Sequence, residues 1–169
     1  MNQHCNNKPE LKVLKPDSEN IGKYCDIIGN VFHLLDRLEI KKSIERFNEQ
    51  TRLYVFEDKD KYLSVAFISP IEIGSVLFGG IGGVSTRIKY RKQGYSKNIL
   101  RKIIADTKDV YSALLLWTWI PVYFQGIGFE DASAYFSDDV KGSMPMIYFF
   151  QKKEKLLFDE MNKLPRVYF

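Results

Sequence analysis

Apolar and polar positions fall into blocks along the chain, and the period of each block predicts an element. Leu11 to Leu14 reads as a short strand. Pro16-Asp17-Ser18 then offers a helix start, with Asp17 or Ser18 able to cap it. Ile21, Tyr24, Cys25, Ile28, Val31 and Phe32 recur at helical spacing and predict a helix to about Leu34. Leu38, Ile40, Ile44 and Phe47 predict a second helix over roughly Arg37 to Asn48. Thr51 to Glu57 and Tyr62 to Ile68 read as two strands around a polar turn, a β-hairpin that Pro70 is expected to close. Ser75 to Val84 is a long apolar run holding Gly79, Gly80, Gly82 and Gly83. Glycine weakens a strand but permits a bulge or a close backbone approach, and both are expected here.

The second half is marked as clearly. Ile99, Leu100, Ile103 and Ile104 share one face of a helix predicted over Tyr95 to Thr107. Ala113 to Trp117 is a continuous apolar strand, and Pro121 suits the first turn of a short helix that Gly126 and Gly128 end. Phe129 begins another strand, and Met144 to Phe150 is the last well-marked one. A charged helix is expected near Lys152 to Asn162, then an extended tail from Pro165 to Phe169. The predicted order is β-α-α-β-β-β-α-β-α-β-β with a C-terminal helix and tail extension, an α+β fold. No linker divides it, so residues 1–169 are expected to form one domain, with 1–9 disordered.

One stretch carries chemistry. The glycine-rich strand runs into the basic loop Arg87-Ile88-Lys89-Tyr90-Arg91-Lys92-Gln93, which reaches Gly94 where the helix pattern begins. First-turn N–H groups lack intrahelical partners, and the helix dipole favours an anion beside them. A strand, a glycine turn and a helix start therefore make a phosphate cradle. The charge agrees: between Ile73 and Ala105 there is no acidic residue, while Arg87, Lys89, Arg91, Lys92, Lys97, Arg101 and Lys102 all fall there.

Composition adds bounds. The 169 residues are 45% hydrophobic and 27% charged, as in an ordinary globular protein. The net charge of +4 is too small to argue for nucleic acid by itself. Cys5 and Cys25 have no metal-ligand spacing and make no disulfide framework. No pair among the histidines and cysteines has zinc spacing, so no metal is expected. Met1 to Lys8 is polar, no apolar run is long enough for a membrane span, and a cytoplasmic protein with reduced thiols is expected.

Arg91-Lys92-Gln93-Gly94-Tyr95-Ser96 resembles the Arg/Gln-x-x-Gly-x-Gly/Ala signature of the GNAT superfamily of N-acetyltransferases. Tyr123-Phe124-Gln125-Gly126-Ile127-Gly128-Phe129 is similar to the family's aromatic-x-x-x-Gly-Phe block. The element order also looks like the family's, and the resemblance covers Leu11 to Phe150. It implies a mixed, mostly antiparallel central sheet flanked by helices, and acetyl-CoA as cosubstrate. It implies that the loop amides from Arg91 through Lys92, Gln93, Gly94 and Tyr95 to Ser96 bind the pyrophosphate. The strand end Val84-Ser85-Thr86 would face the pantetheine arm, with Phe124 also beside the cofactor. Three positions depart from the pattern. Ser96 stands where Gly or Ala is usual. Ile88-Lys89-Tyr90 lacks the proline common before the signature Arg. The family's acid is frequently a Tyr four residues before the Gly of Gly-Phe, and that position is Phe124. Tyr123 lies one residue earlier, about 100° around a helix.

The implied reaction is acyl transfer from a thioester to a primary amine by direct attack in a ternary complex. Strand N–H groups near Val84 would polarise the carbonyl. Tyr123 is the candidate general acid. The base is not evident: Glu72, Glu57, Asp58 and the C-terminal carboxylate of Phe169 are the candidates, and each of the first three reads as a solvated surface charge sooner than as a base. Trp117, Trp119, Tyr123 and Phe124 form either core and cleft wall or an apolar acceptor pocket. The first two helices are expected to wall the acceptor groove. The acceptor could be a small-molecule or protein amine. The alternative is a non-catalytic module that binds CoA or acyl-CoA and regulates. Nucleic-acid binding by the basic cluster is a weaker third, because the charges gather at one loop and helix. An exposed edge strand or the tail could carry a homodimer contact.

Overall fold

A computed structural model describes residues 8–31, 44–45, 47–73, 75–136 and 142–150. The predicted second helix lies mostly outside these residues, and the C-terminal helix and tail lie wholly outside them. The described elements are β1 (Glu10–Leu14), α1 (Ser18–Val31), β2 (Arg52–Asp58), β3 (Lys61–Ile73), β4 (Val76–Thr86), α2 (Tyr95–Thr107), β5 (Ala113–Thr118), α3 (Pro121–Gln125), β6 (Glu130–Asp131) and β7 (Met144–Phe149). Single turns of 3₁₀-helix at Ile88–Tyr90 and Ser133–Tyr135 join them.

The strands form one sheet of seven in the order β1-β2-β3-β4-β5-β7-β6. Every neighbouring pair is antiparallel except β4 and β5. Parallel strands need a crossover, and α2 supplies it. Side chains alternate between the two faces. On one face Leu53, Val55, Val65 and Phe67 pack under Tyr24, Ile27 and Ile28 of α1. On the other, Tyr54, Phe56, Ala66, Ile68 and Ile81 pack against Ile99, Leu100 and Ile103 of α2, with Phe124 and Phe129 joining. The helical spacing of the apolar residues in α1 and α2 therefore marks the buried faces of both.

Two details of β4 matter for function. Its parallel ladder with β5 spans only Phe78–Gly80 against Ala113–Leu115. Beyond that, Ile81–Thr86 continue without a strand on that side. The antiparallel register with β3 also slips, since Phe67 opposes Gly82 while Val65 opposes Ser85. One extra residue is thus held in β4 around Gly83, whose φ of +60° is left-handed. Tyr24 fills the space beside it: a Cβ built on Gly83 would lie 2.3 Å from the phenol oxygen.

The structure corrects one expectation and trims another. Pro70 does not close the hairpin but sits inside β3, opposite Gly79. It is tolerated because β2 pairs β3 only as far as Ile68, so Pro70 is on an edge where no partner strand requires its N–H. The strand expected from Phe129 is only Glu130–Asp131. No helix among the described residues is long and apolar enough to cross a membrane.

Gly83→Ala combines a left-handed backbone with a clash against a buried ring. It is expected to destabilise the protein by about 2–4 kcal/mol, measured by urea unfolding followed by circular dichroism.

Candidate active site

The opening between β4 and β5 leads directly to the basic loop. From Thr86 the chain makes the 3₁₀ turn Ile88–Tyr90, and the Arg87 N–H donates back to the Leu63 carbonyl at 2.9 Å. The strand end is braced by side chains. The Ser64 hydroxyl donates to the Ser85 carbonyl (2.9 Å) and lies 2.8 Å from the Thr86 hydroxyl. Since Ser64 has one proton to give, Thr86 is the donor in that second contact. Arg91 Nε donates to the Thr86 carbonyl at 3.2 Å. Val84 is half-buried against the α2-side core. Ser85 is buried, and its hydroxyl has no hydrogen-bond partner among the described residues.

After Arg91 the backbone is held in unusual conformations. Lys92 has φ +62° and Gly94 has φ +82°. A left-handed lysine costs roughly 1–3 kcal/mol and persists only where its surroundings hold it. Gly94 is the N-cap of α2 and brings no side chain to the first turn. The Asn98 N–H closes the first intrahelical bond, to the Gly94 carbonyl at 2.9 Å. No side chain caps this helix end. Its N–H groups and the dipole's positive end are thus available to an anion. Tyr95 anchors the end on the sheet, its ring 4.8 Å from that of Phe56. Gln93 is exposed beside Gly94.

Besides Arg91 and Lys89, whose ammonium lies 4.8 Å over the Tyr90 ring, the basic cluster divides into two groups. Arg87 turns away from the loop, pairing with Asp26 of α1 and donating from Nε to the Tyr62 carbonyl at 2.7 Å. Lys102 pairs with Asp106 at 2.6 Å. Lys92, Lys97 and Arg101 make no ion pair among the described residues. Lys92 precedes the uncapped helix end, Lys97 lies in its first turn and Arg101 one turn further along α2.

The short helix α3 presents two aromatic rings in different directions. Phe124 is 5% exposed and packs edge-on to Phe129, in the core. Tyr123 is half-buried and reaches the start of α2, with its hydroxyl 2.7 Å from Ser96 Oγ. Burial raises the Tyr123 pKa above the ordinary phenol value, and the Ser96 hydrogen bond partly opposes that. The phenol therefore keeps its proton at neutral pH. Of the two neighbouring positions, the one carrying a hydroxyl faces the loop.

Carboxylates are less favourably placed. Glu57 accepts from Lys12 at 2.7 Å and from Lys23 at 3.4 Å. Lys12, through its hydrogen bond, is the main cause that holds the carboxyl below its usual value. Glu72 opposes Leu77, near the far end of β4 and roughly 30 Å along the strand from Thr86. Asp58 sits at the hairpin turn, whose Lys59 and Asp60 both have positive φ. Phe169 lies outside the described residues. Among the described residues no cluster of ligating side chains could hold a metal ion.

A sequence model described as an acetyltransferase (GNAT) domain matches residues 13–132. The chain belongs to the GNAT acetyltransferase family. No curated protein matches it. Among solved structures, this GNAT chain is similar to the GNAT-family N-acetyltransferase YhbS of Escherichia coli in complex with CoA, at 15% identity and TM-score 0.69, over 95% of this chain and 89% of that one. It is similar to the ribosomal-protein-S18-alanine N-acetyltransferase of Escherichia coli at 12% identity and TM-score 0.64, over 86% and 97%. A conserved probable N-acyltransferase from Enterococcus faecalis aligns at 20% identity and TM-score 0.61, over 72% of this chain. The chain spans only 33% of that longer protein. At these identities the likeness is one of fold.

Two outcomes separate the roles of α3 and the Glu57 cluster. Phe124→Ala should lose about 3–5 kcal/mol of stability, whereas Tyr123→Phe should lose about 1 kcal/mol or less, both read by urea unfolding. Glu57 has a lowered folded pKa, so it stabilises the fold above its unfolded value of 4.5. That contribution fades as pH falls through the lower folded value. Glu57→Gln should flatten this acid-side loss in unfolding curves collected from neutral to acid pH.

Proposed function

We propose that this GNAT chain is a cytoplasmic, acetyl-CoA-dependent N-acetyltransferase, a single domain over residues 1–169 that acetylates a primary amine by direct attack in a ternary complex. The observation carrying this reading is the uncapped start of α2. It follows a loop with left-handed Lys92 and Gly94 and stands where β4 has lost its neighbour. Residues present there fit a phosphorylated cosubstrate. The amides from Gly94 to Ser96 and the unpaired Lys92, Lys97 and Arg101 would hold its phosphates. The free edge of β4 from Val84 through Ser85 to Thr86 would align its extended arm. Acetyl-CoA would supply the activated acetyl thioester.

The β4 edge excludes water on one side and offers backbone donors where negative charge develops, the kind of contribution that ordinarily dominates acyl transfer. Tyr123 keeps its proton at Oη and can release it to a leaving group. Glu57, held ionised by two lysines, is poorly suited to take a proton at neutral pH. The reading therefore has the amine lose its proton to solvent or arrive neutral. Positioning in a ternary complex carries much of such a rate.

The same placement of Glu57 and Glu72 favours the second reading, a CoA-binding module that regulates without turnover. Isothermal titration with acetyl-CoA and dephospho-CoA, followed by thiol release with a panel of primary amines, separates the two. Micromolar affinity is expected for acetyl-CoA, weaker for dephospho-CoA. Gly94→Trp should weaken binding by more than about tenfold, about 1.4 kcal/mol. Binding with no thiol release from any amine would favour the regulatory module, and no binding at millimolar ligand would overturn both.

A further inference from the structure

Two of the chain's departures from its family's pattern meet in space. Ser96 stands at the end of the signature, where a residue without a polar side chain is usual. The tyrosine of the Gly-Phe block stands one residue early, at 123, and its usual position is taken by Phe124. In the fold the Ser96 and Tyr123 hydroxyls are 2.7 Å apart. Both residues are half-buried, on different helices, and 27 positions apart in the chain. The Phe124 ring is committed to the core against Phe129, so it cannot exchange places with Tyr123.

We propose that Ser96 is a positioning residue for Tyr123: its hydroxyl holds the phenol at the start of α2, so that position 123 does the work that position 124 cannot. The inference rests on the acetyltransferase reading for what Tyr123 does, but the bond itself does not. Ser96 has the right chemistry for the task. A serine hydroxyl both donates and accepts. With Tyr123 neutral, the phenol O–H can donate to Ser96 Oγ. When Tyr123 gives its proton to a leaving group, the Ser96 O–H can turn and donate to the phenolate oxygen left behind. Tyr123 then regains from solvent the proton that the attacking amine gave up to it, so the protons balance and Ser96 stays neutral throughout. Glycine or alanine at 96 could play neither part. Ser96 is also fixed in direction, because it sits in the first turn of a helix whose next residues, Ile99 and Leu100, are fully buried.

The test has a spectroscopic arm and a kinetic arm. Tyrosine ionisation is followed by ultraviolet absorbance across alkaline pH for the wild type, Ser96→Ala, Ser96→Thr, Tyr123→Phe and the Ser96→Ala/Tyr123→Phe double variant. The Tyr123→Phe difference isolates the Tyr123 transition. Ser96→Ala is expected to move that transition to higher pH, and Ser96→Thr to restore it. In thiol release with acetyl-CoA and a primary amine, Ser96→Ala is expected to lower kcat by about tenfold, part of what a placed general acid contributes, with KM for acetyl-CoA nearly unchanged. In the double variant Ser96→Ala should add nothing to the loss caused by Tyr123→Phe. An unmoved Tyr123 transition in Ser96→Ala, or additive kinetic losses, would overturn the proposal. A wild type that binds acetyl-CoA but releases no thiol with any amine would overturn the acetyltransferase reading, and the titration would still decide whether Ser96 holds Tyr123.

Discussion

Backbone hydrogen bonding along β4 is the constraint on which the rest of this molecule depends. A strand inside a sheet must satisfy N–H and C=O groups on both edges. For Phe78–Gly80 the edges are β3 and β5, but after Gly80 the β5 side falls away. Six residues, Ile81–Thr86, then run with one edge open in the middle of a seven-stranded sheet. Such an edge would ordinarily be a liability. In the proposed function it is the groove in which an extended ligand would complete the ladder.

The surroundings of that edge serve to keep it open and firm. The bulge around Gly83 twists β4 and lets Tyr24 approach from α1. Ser64 and Arg91 cover the Ser85 and Thr86 carbonyls. Arg87 ties the strand's exit to Asp26 of α1 and to the Tyr62 carbonyl. These contacts spend polar groups on rigidity at the end of β4. In the next turn the Arg91 N–H is spent on the Ile88 carbonyl, while the amides from Lys92 to Ser96 and the cations Lys92, Lys97 and Arg101 have no such partner among the described residues. One continuous segment thus joins a braced strand to an open helix end, as the proposed wall and anion cradle require.

The basic cluster shows why charge along a sequence is only a first approximation to charge at a site. Seven cations lie between Ile73 and Ala105. Arg87 and Lys102 are neutralised by Asp26 and Asp106, which lie outside that stretch. Of the other five, Lys89 lies over the Tyr90 ring and Arg91 donates to the Thr86 carbonyl, which leaves Lys92, Lys97 and Arg101. That smaller set suits a compact phosphorylated ligand better than a long polyanion. The aromatic block is similar: Phe124 and Tyr123 are neighbours in the chain, yet one is core and the other reaches a second helix.

The sequence by itself determined most of the described elements and the glycine turn before α2. The period of 3.6 in Ile99 to Ile104 is a consequence of burying one face, and the continuous apolar run Leu53 to Phe56 of burying two; both act locally. Four glycines in one apolar strand announced the bulge, and Gly94 before a helix pattern announced the start of α2. The lone Ser64 in the apolar strand Tyr62 to Ile68 was a signal left unread, since a polar side chain there must find a partner. Only the tertiary structure decided how far Pro70 lies from any needed hydrogen bond, which cations stay unpaired, and that Ser96 meets Tyr123. Each of those depends on residues tens of positions apart, brought together by strand order and by which face of a short helix turns inward. Local pattern carries no information about such contacts, because the free energy that fixes them comes from packing two elements together and not from either one alone.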